Sequence, residues 1–244
     1  MGAETTGTAK LATIRKLLAK AERAATAAEA DTYTAKAVEL MARHGIDAAL
    51  LAAAAPGSDE IGPLRIAMRD PYSAGKARLL GWTAAALRCR WVLHGAWAGK
   101  VAAVTVFGHA SDRERVELLY TSLLLQATAQ LVRVRPPRPG ESVAAYRRSW
   151  LDGFSAQVHR RLVEAEERAA DHAPQGPHPG VAVVLADRRR RVDEQFASTY
   201  PRLAPLRRSA LSGSGRSAGA LAGARADLGG RGGLGVGRQR ALGA

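Results

Sequence analysis

The chain has 244 residues, 47% of them hydrophobic, enough for one good-sized core or two small ones. A single cysteine, Cys89, excludes an internal disulfide framework, and the longest apolar run, Ala48 to Ala55, is far short of the roughly 20 residues a membrane span needs. The net charge is +14, and residues 181–244 carry twelve basic against four acidic side chains. Such a tail attracts phosphate backbones without reading sequence. Only six of the 36 basic residues are lysine, however, and arginine with abundant alanine and glycine is also what a GC-rich genome produces. Met1 to Lys10 is polar and holds no apolar leader, so a cytoplasmic protein without membrane contact is expected.

Apolar residues Leu11, Ile14, Leu17, Leu18 and Ala21 recur at helical spacing and predict an amphipathic helix over 9–23. Thr26-Ala-Ala-Glu29 has the form of a capping box and opens a second helix through Arg43. His44-Gly45-Ile46 reads as its stop, with Asp47 capping a short third helix to Ala55. Residues 8–56 are thus expected to form an αα-hairpin domain, too small to be very stable alone.

Lys16-Leu-Leu-Ala-Lys-Ala-Glu22, Glu29-Ala30 and Ala37-Val-Glu-Leu-Met-Ala-Arg-His-Gly-Ile-Asp47 resemble a short helical domain of unknown function found in bacterial and phage proteins. In actinobacterial members that domain continues into a second uncharacterised α+β module. Similar features here are Tyr72, Leu79-Leu80, the strand-Gly-x-x-Ser-Asp-helix pattern at 101–112, Ser149-Trp-Leu-Asp-Gly-Phe154, residues 186–189 with Val192-Asp193, and small residues near 213–229. The resemblance implies a fold and carries no activity with it.

Leu64 to Met68 alternates like a strand, and Ala74 to Arg88 reads as a helix behind the Pro71-Tyr-Ser73 turn. Cys89 to His94 and Val101 to Phe107 are rich in β-branched and aromatic residues, with Gly95 and Gly99 framing their connection. Ser111-Asp-Arg-Glu114 looks like a second capping box, opening a helix whose apolar face is Val116, Leu119, Tyr120, Leu123, Leu124, Ala127 and Leu131. The layout is β-α-β-β-α, and the fold class α+β and mostly helical: an N-terminal αα-hairpin, then an antiparallel sheet of two or three strands covered by long helices.

Pro136-Pro-Arg-Pro-Gly140 breaks the chain before a long helix over Val143 to Ala170, striped by Tyr146, Trp150, Phe154, Val158, Leu162 and Ala165. Gly153 in that helix points to close packing against another backbone. A helix over Val181 to Tyr200 completes a domain over 60–200. Its face through Leu185 and Val192 passes positions 188 and 189, so at least one arginine there sits near the core edge and is expected to find a carboxylate, a helix C-terminus or an anion; Asp152 is the preferred partner. Residues 205–244 form a Gly/Ala/Arg-rich segment, flexible from about 229, in which Gly215, Gly219 and Gly223 suit a tightly packed helix.

No nucleophile elbow, Walker loop, dinucleotide fingerprint or zinc-ligand spacing is present, so neither cofactor, metal nor catalytic residue is assigned and the reading leans away from an enzyme. Cys89 and His94, five apart in a strand, fall on opposite faces and do not make a nucleophile and base. His109 and Asp112, on a strand-to-helix loop, are an anion or pocket candidate, although Ser111 and Glu114 are expected to satisfy that helix terminus. An enzymatic alternative requires His109, Asp112, Arg188 and Asp193 to meet in one pocket. The leading expectation is a non-catalytic protein touching DNA or RNA phosphates with Arg188, Arg189, Arg190, Arg191, Arg207, Arg208 and Arg231. The competing one is a protein partner at the N-terminal hairpin.

Overall fold

The computed structural model describes residues 2–22, 27–55, 57–173, 180–204 and 211–226. Its elements are α1 (Gly2–Glu22), α2 (Ala27–Ala54), β1 (Ile61–Ala67), α3 (Ser73–Ala86), β2 (Arg90–His94), β3 (Ala103–His109), α4 (Ala110–Leu131), α5 (Val143–Asp171), α6 (Val181–Thr199) and α7 (Arg216–Arg225). The fold is α+β and mostly helical, with three antiparallel strands in the order β1-β3-β2.

Alternation along the strands decides which side the helices cover. In register, Leu64, Val106 and Trp91 lie side by side, as do Ile66, Val104 and Leu93, and these rows face the core built with α3 and α4. Gly81 of α3 leaves room for the Trp91 ring, which a side chain at that position would strike. The opposite face carries Phe107, met edge-on by Phe196 and Tyr200 from the end of α6 at centroid distances of 5.6 and 5.9 Å.

The expected stripe of α5 is the spine of the molecule: Tyr146, Trp150, Phe154, Val158 and Leu162 are all buried. Gly153 lies against the Arg216 backbone, and Gly215, Gly219 and Gly223 lie against the Tyr146, Trp150 and Phe154 backbone in turn. The small residues thus let α7 and α5 approach closer than any side chain permits.

Two local expectations fail. The His44-Gly45-Ile46 stop does not exist, and α2 continues unbroken to Ala54. Gly45 is required by packing, not by a turn: the Arg115 guanidinium occupies the space its side chain would need. Ser111 and Glu114 make no capping box either, since α4 begins at Ala110 and Glu114 pairs with Arg15 at 3.3 Å. The Ser111 N–H is satisfied by the carboxylate of Asp59, 52 residues away. Thr26 of the other box lies outside the described residues. The N-terminal helices share the main core, to which Ile14, Leu18, Ala37 and Met41 contribute.

Candidate functional site

Three helices and two connecting segments place six ions together beneath the first turn of α4. Each helix does so by putting a charge on its apolar stripe. Asp112 and Arg115 lie on the face of Val116 and Leu119, Glu166 follows Leu162 by one turn, and Arg188 sits between Val184 and Val192. Arg88, just after α3, and Asp59, just before β1, complete the set. Arg88 holds a left-handed backbone, φ 65°, a conformation costly for a side-chain-bearing residue.

The six ions pair with one another. Arg188 Nη2 donates to Asp59 Oδ2 at 2.9 Å, Asp112 Oδ2 at 3.0 Å and Ser111 Oγ at 3.2 Å. Arg115 donates to Asp112 Oδ1 at 2.9 Å and to Glu166 Oε1, while Arg88 reaches Glu166 Oε2 at 2.7 Å and Asp112 Oδ1 at 3.3 Å. Ser111 donates both its backbone N–H and its hydroxyl to Asp59, at 3.0 and 2.6 Å. Three arginines thus face three carboxylates, with Arg115 fully buried and Arg188 5% exposed.

Burial works against ionised Asp112, but Arg88, Arg115 and Arg188 outweigh it and hold the carboxyl at about 2. Asp59 is likewise lowered: burial opposes its charge, and the Ser111 bonds and Arg188 prevail. His109 goes down through burial and the nearby Arg188, and its Nδ1–H donates to the Asp59 carbonyl at 2.9 Å. His44 of α2 is lowered in the same way by burial and Arg115. Burial raises the Cys89 thiol far above its ordinary range, leaving it inert as a nucleophile.

The structure thus brings His109, Asp112 and Arg188 together and leaves Asp193 out. Asp193 accepts from Arg90 Nε at 2.6 Å and lines an open cleft of about 530 Å³ with Arg88, Leu185, Arg189, Arg190 and Glu194. Of the expected phosphate contacts, Arg188 is interior and its partner is not Asp152, which pairs with Arg78 and Arg216 instead. Arg190 bridges Asp187 and Glu194 at 2.6 Å each, and Arg191 pairs with Asp187 at 2.7 Å. Arg189 is exposed. Arg207, Arg208 and Arg231 lie outside the described residues. Asp59, Arg88, Arg115 and Glu166 were not expected from the sequence. For Asp112, Arg115 and Glu166 the signal was there, a charge continuing an apolar stripe.

The opposite end of the molecule has another character. Val101 N–H bonds Ser73 Oγ, Met68 N–H bonds the Ala102 carbonyl, and the Tyr120 hydroxyl contacts Met68 Sδ. These contacts gather the β2–β3 hairpin, the start of α3 and the middle of α4. The start of α5 joins them, because Arg147 donates to the Val132 carbonyl at 2.8 Å and closes the end of α4. From there α5 runs beside α3 to the ion network, through Leu151 at Gly75, Asp152 at Arg78, His159 at the Trp82 carbonyl and Glu166 at Arg88. The segments 68–76, 95–102 and 131–148 that form this end carry eight basic and two acidic side chains. Both acids are engaged, Asp70 by Ser73 and Lys100 and Glu141 by Ser214.

Residues 9–48 match the family model described as a protein of unknown function, DUF2786. That segment spans the facing parts of α1 and α2. It ends just past His44 and Gly45, which meet Arg115, so the end of the matched segment forms one wall of the ion network. No curated protein and no solved structure matches the chain.

Proposed function

We propose that this is a non-catalytic binding protein that contacts the phosphate backbone of nucleic acid with the basic end formed by the β2–β3 hairpin, the α4–α5 corner and the start of α3. The observation that carries the reading is the charge imbalance there. Arg133 and Arg148 are exposed and pair with no carboxylate among the described residues; Arg138 is exposed with Glu141 near it, which Ser214 also engages, and Asp70 is held by Ser73 and Lys100. The expected α6 contacts are less suited, because Asp187, Asp193 and Glu194 offset the arginines beside them. The ion network supports the same view from the other side. Its groups are mutually neutralised and buried, which suits a structural role better than proton transfer to a substrate. The N-terminal hairpin commits Ile14, Leu18, Ala37 and Met41 to the core, which supports a structural role for it over a partner-binding one.

The test is fluorescence anisotropy with duplex and single-stranded oligonucleotides across a salt series. Binding should weaken steeply with salt and vary little with sequence. The triple variant Arg133→Glu, Arg138→Glu, Arg148→Glu should lose most affinity and flatten the salt slope by roughly one per phosphate contact removed. Circular dichroism checks that it is folded. A wild-type chain that binds neither duplex nor single strand at low salt, or a folded triple variant that binds like wild type, refutes the reading.

A further inference from the structure

The tip of the β2–β3 hairpin carries the most exposed large hydrophobic side chain among the described residues, Trp97, at 84%. It is not a loose loop residue. Trp97 and Lys100 exchange both backbone hydrogen bonds, at 3.0 and 2.9 Å, across a two-residue turn. Ala98 and Gly99 hold φ of 48° and 78°, the left-handed pair that matches the twist of the strands. As directly opposed partners, Trp97 and Lys100 project from one face of the ribbon. The indole is therefore presented on an ordered turn with Lys100 directly opposite it, while Trp150 is buried and Trp82 and Trp91 are half-buried.

An indole held in water needs a partner, and its surroundings restrict the kind. Its tip neighbours Gly95, Ala96, Ala98 and Gly99 offer almost no apolar area, so there is no patch of the size a protein interface uses. What the tip offers is one flat π-face with Lys100 opposite it on the ribbon, its exposed ammonium 3.5 Å from Asp70. Arg69 and Lys76 lie in the segment that the Met68 N–H joins to the hairpin at the Ala102 carbonyl, with Lys76 Nζ donating to the Arg69 carbonyl at 2.9 Å. A planar base attached to a phosphate fits both features. Bases in a duplex are covered by their neighbours, so an unpaired strand is the natural occupant.

We propose that the hairpin tip is a base-stacking element for single-stranded nucleic acid, with Trp97 taking a base and Lys100 an adjoining phosphate. This rests on the backbone-contact reading above and adds its substrate class. The experiment uses the full chain with labelled dT20, rU20 and a 20-base-pair duplex, comparing wild type, Trp97→Ala and Trp97→Tyr. Trp97→Ala should weaken binding to dT20 or rU20 about tenfold, the loss of one stacked base, while duplex affinity and salt slope stay as in wild type. Trp97→Tyr should retain most of the affinity, and wild-type tryptophan fluorescence should be quenched by the strand. The DNA and RNA arms tell which sugar is preferred. If Trp97→Ala binds single strands like wild type, or loses duplex binding equally, the stacking role is wrong while the backbone reading stands. If wild type binds no oligonucleotide, the backbone reading falls first and this one with it.

Discussion

Replacing Arg188 with alanine tests the network most directly. Among the described residues its Nη2 is the only guanidinium nitrogen that bonds both Asp59 and Asp112, and the residue is 5% exposed, so water cannot readily replace it. Removing one member of a buried ion pair costs about 3–5 kcal/mol, because the partner is left charged in a dry site. Here the lower end applies. Asp59 keeps two bonds from Ser111, and Asp112 keeps Arg88 and Arg115. A loss of about 3 kcal/mol in a chain of this size lowers the melting temperature by roughly 6–12 °C. The adjacent exposed Arg189→Ala should change stability by less than about 0.5 kcal/mol. Urea melts and calorimetry of both variants supply the comparison, and a double-mutant cycle of Arg188→Ala with Asp59→Asn should show positive coupling. Equal melts for Arg188→Ala and the parent, or equal losses at 188 and 189, would refute the phase of α6 and the network with it.

Gly45→Ala separates a packing glycine from a helix stop. In an open mid-helix position alanine stabilises by about 1 kcal/mol, whereas here it must displace the buried, doubly paired Arg115, so the variant should be destabilised and a higher melting temperature would sink the assignment. Acid should act in two stages. His44 and His109 are lowered in the folded state, so the unfolded chain takes up protons first and stability should begin to fall as pH drops below about 6.5. The depressed carboxylates follow: Asp112, held at about 2 against an ordinary 3.8, contributes stability that is present above its ordinary range and lost as pH falls toward 2. Denaturant midpoints at pH 7.5, 5.5 and 3 check both stages, and a profile flat from 7.5 to 3 would contradict them.

Periodicity and small-residue spacing made much of the fold legible. The long α5 stripe, the inward turn of Arg188 and the close α5–α7 approach all follow from which positions share a helical face. The failures have one physical origin, namely long-range partners replacing local ones. Ser111 and Glu114 had the spacing of a capping box, but Asp59 arrives through the strand order β1-β3, which puts the start of β1 beside the end of β3 and hence beside the first turn of α4. Local spacing cannot reveal a competitor 52 residues away. Gly45 fails in the same way, its glycine explained by an arginine on α4. Asp152 was a reasonable partner for an arginine on α6, being on the long neighbouring helix. Yet it lies more than three turns of α5 before Glu166, nearer the basic end, where Arg78 and Arg216 reach it.

The separation of charge along the molecule bears on what the net +14 means. Charge in the network cancels, three arginines against three carboxylates, and so contributes nothing to the outer field however many arginines it contains. The Arg188-Arg-Arg-Arg191 run, the densest basic stretch in the sequence, is likewise largely offset by Arg188 turning inward and by Asp187 and Glu194 on its own helix. Excess charge therefore appears where the sequence looks less basic, over three segments that are distant in the chain and adjacent only because α3, α4 and α5 bring their ends together. A genomic bias toward arginine raises the count everywhere, but it does not choose which arginines the fold neutralises. In the described residues it is the network end that is balanced and the hairpin end, with its one upright tryptophan, that is not.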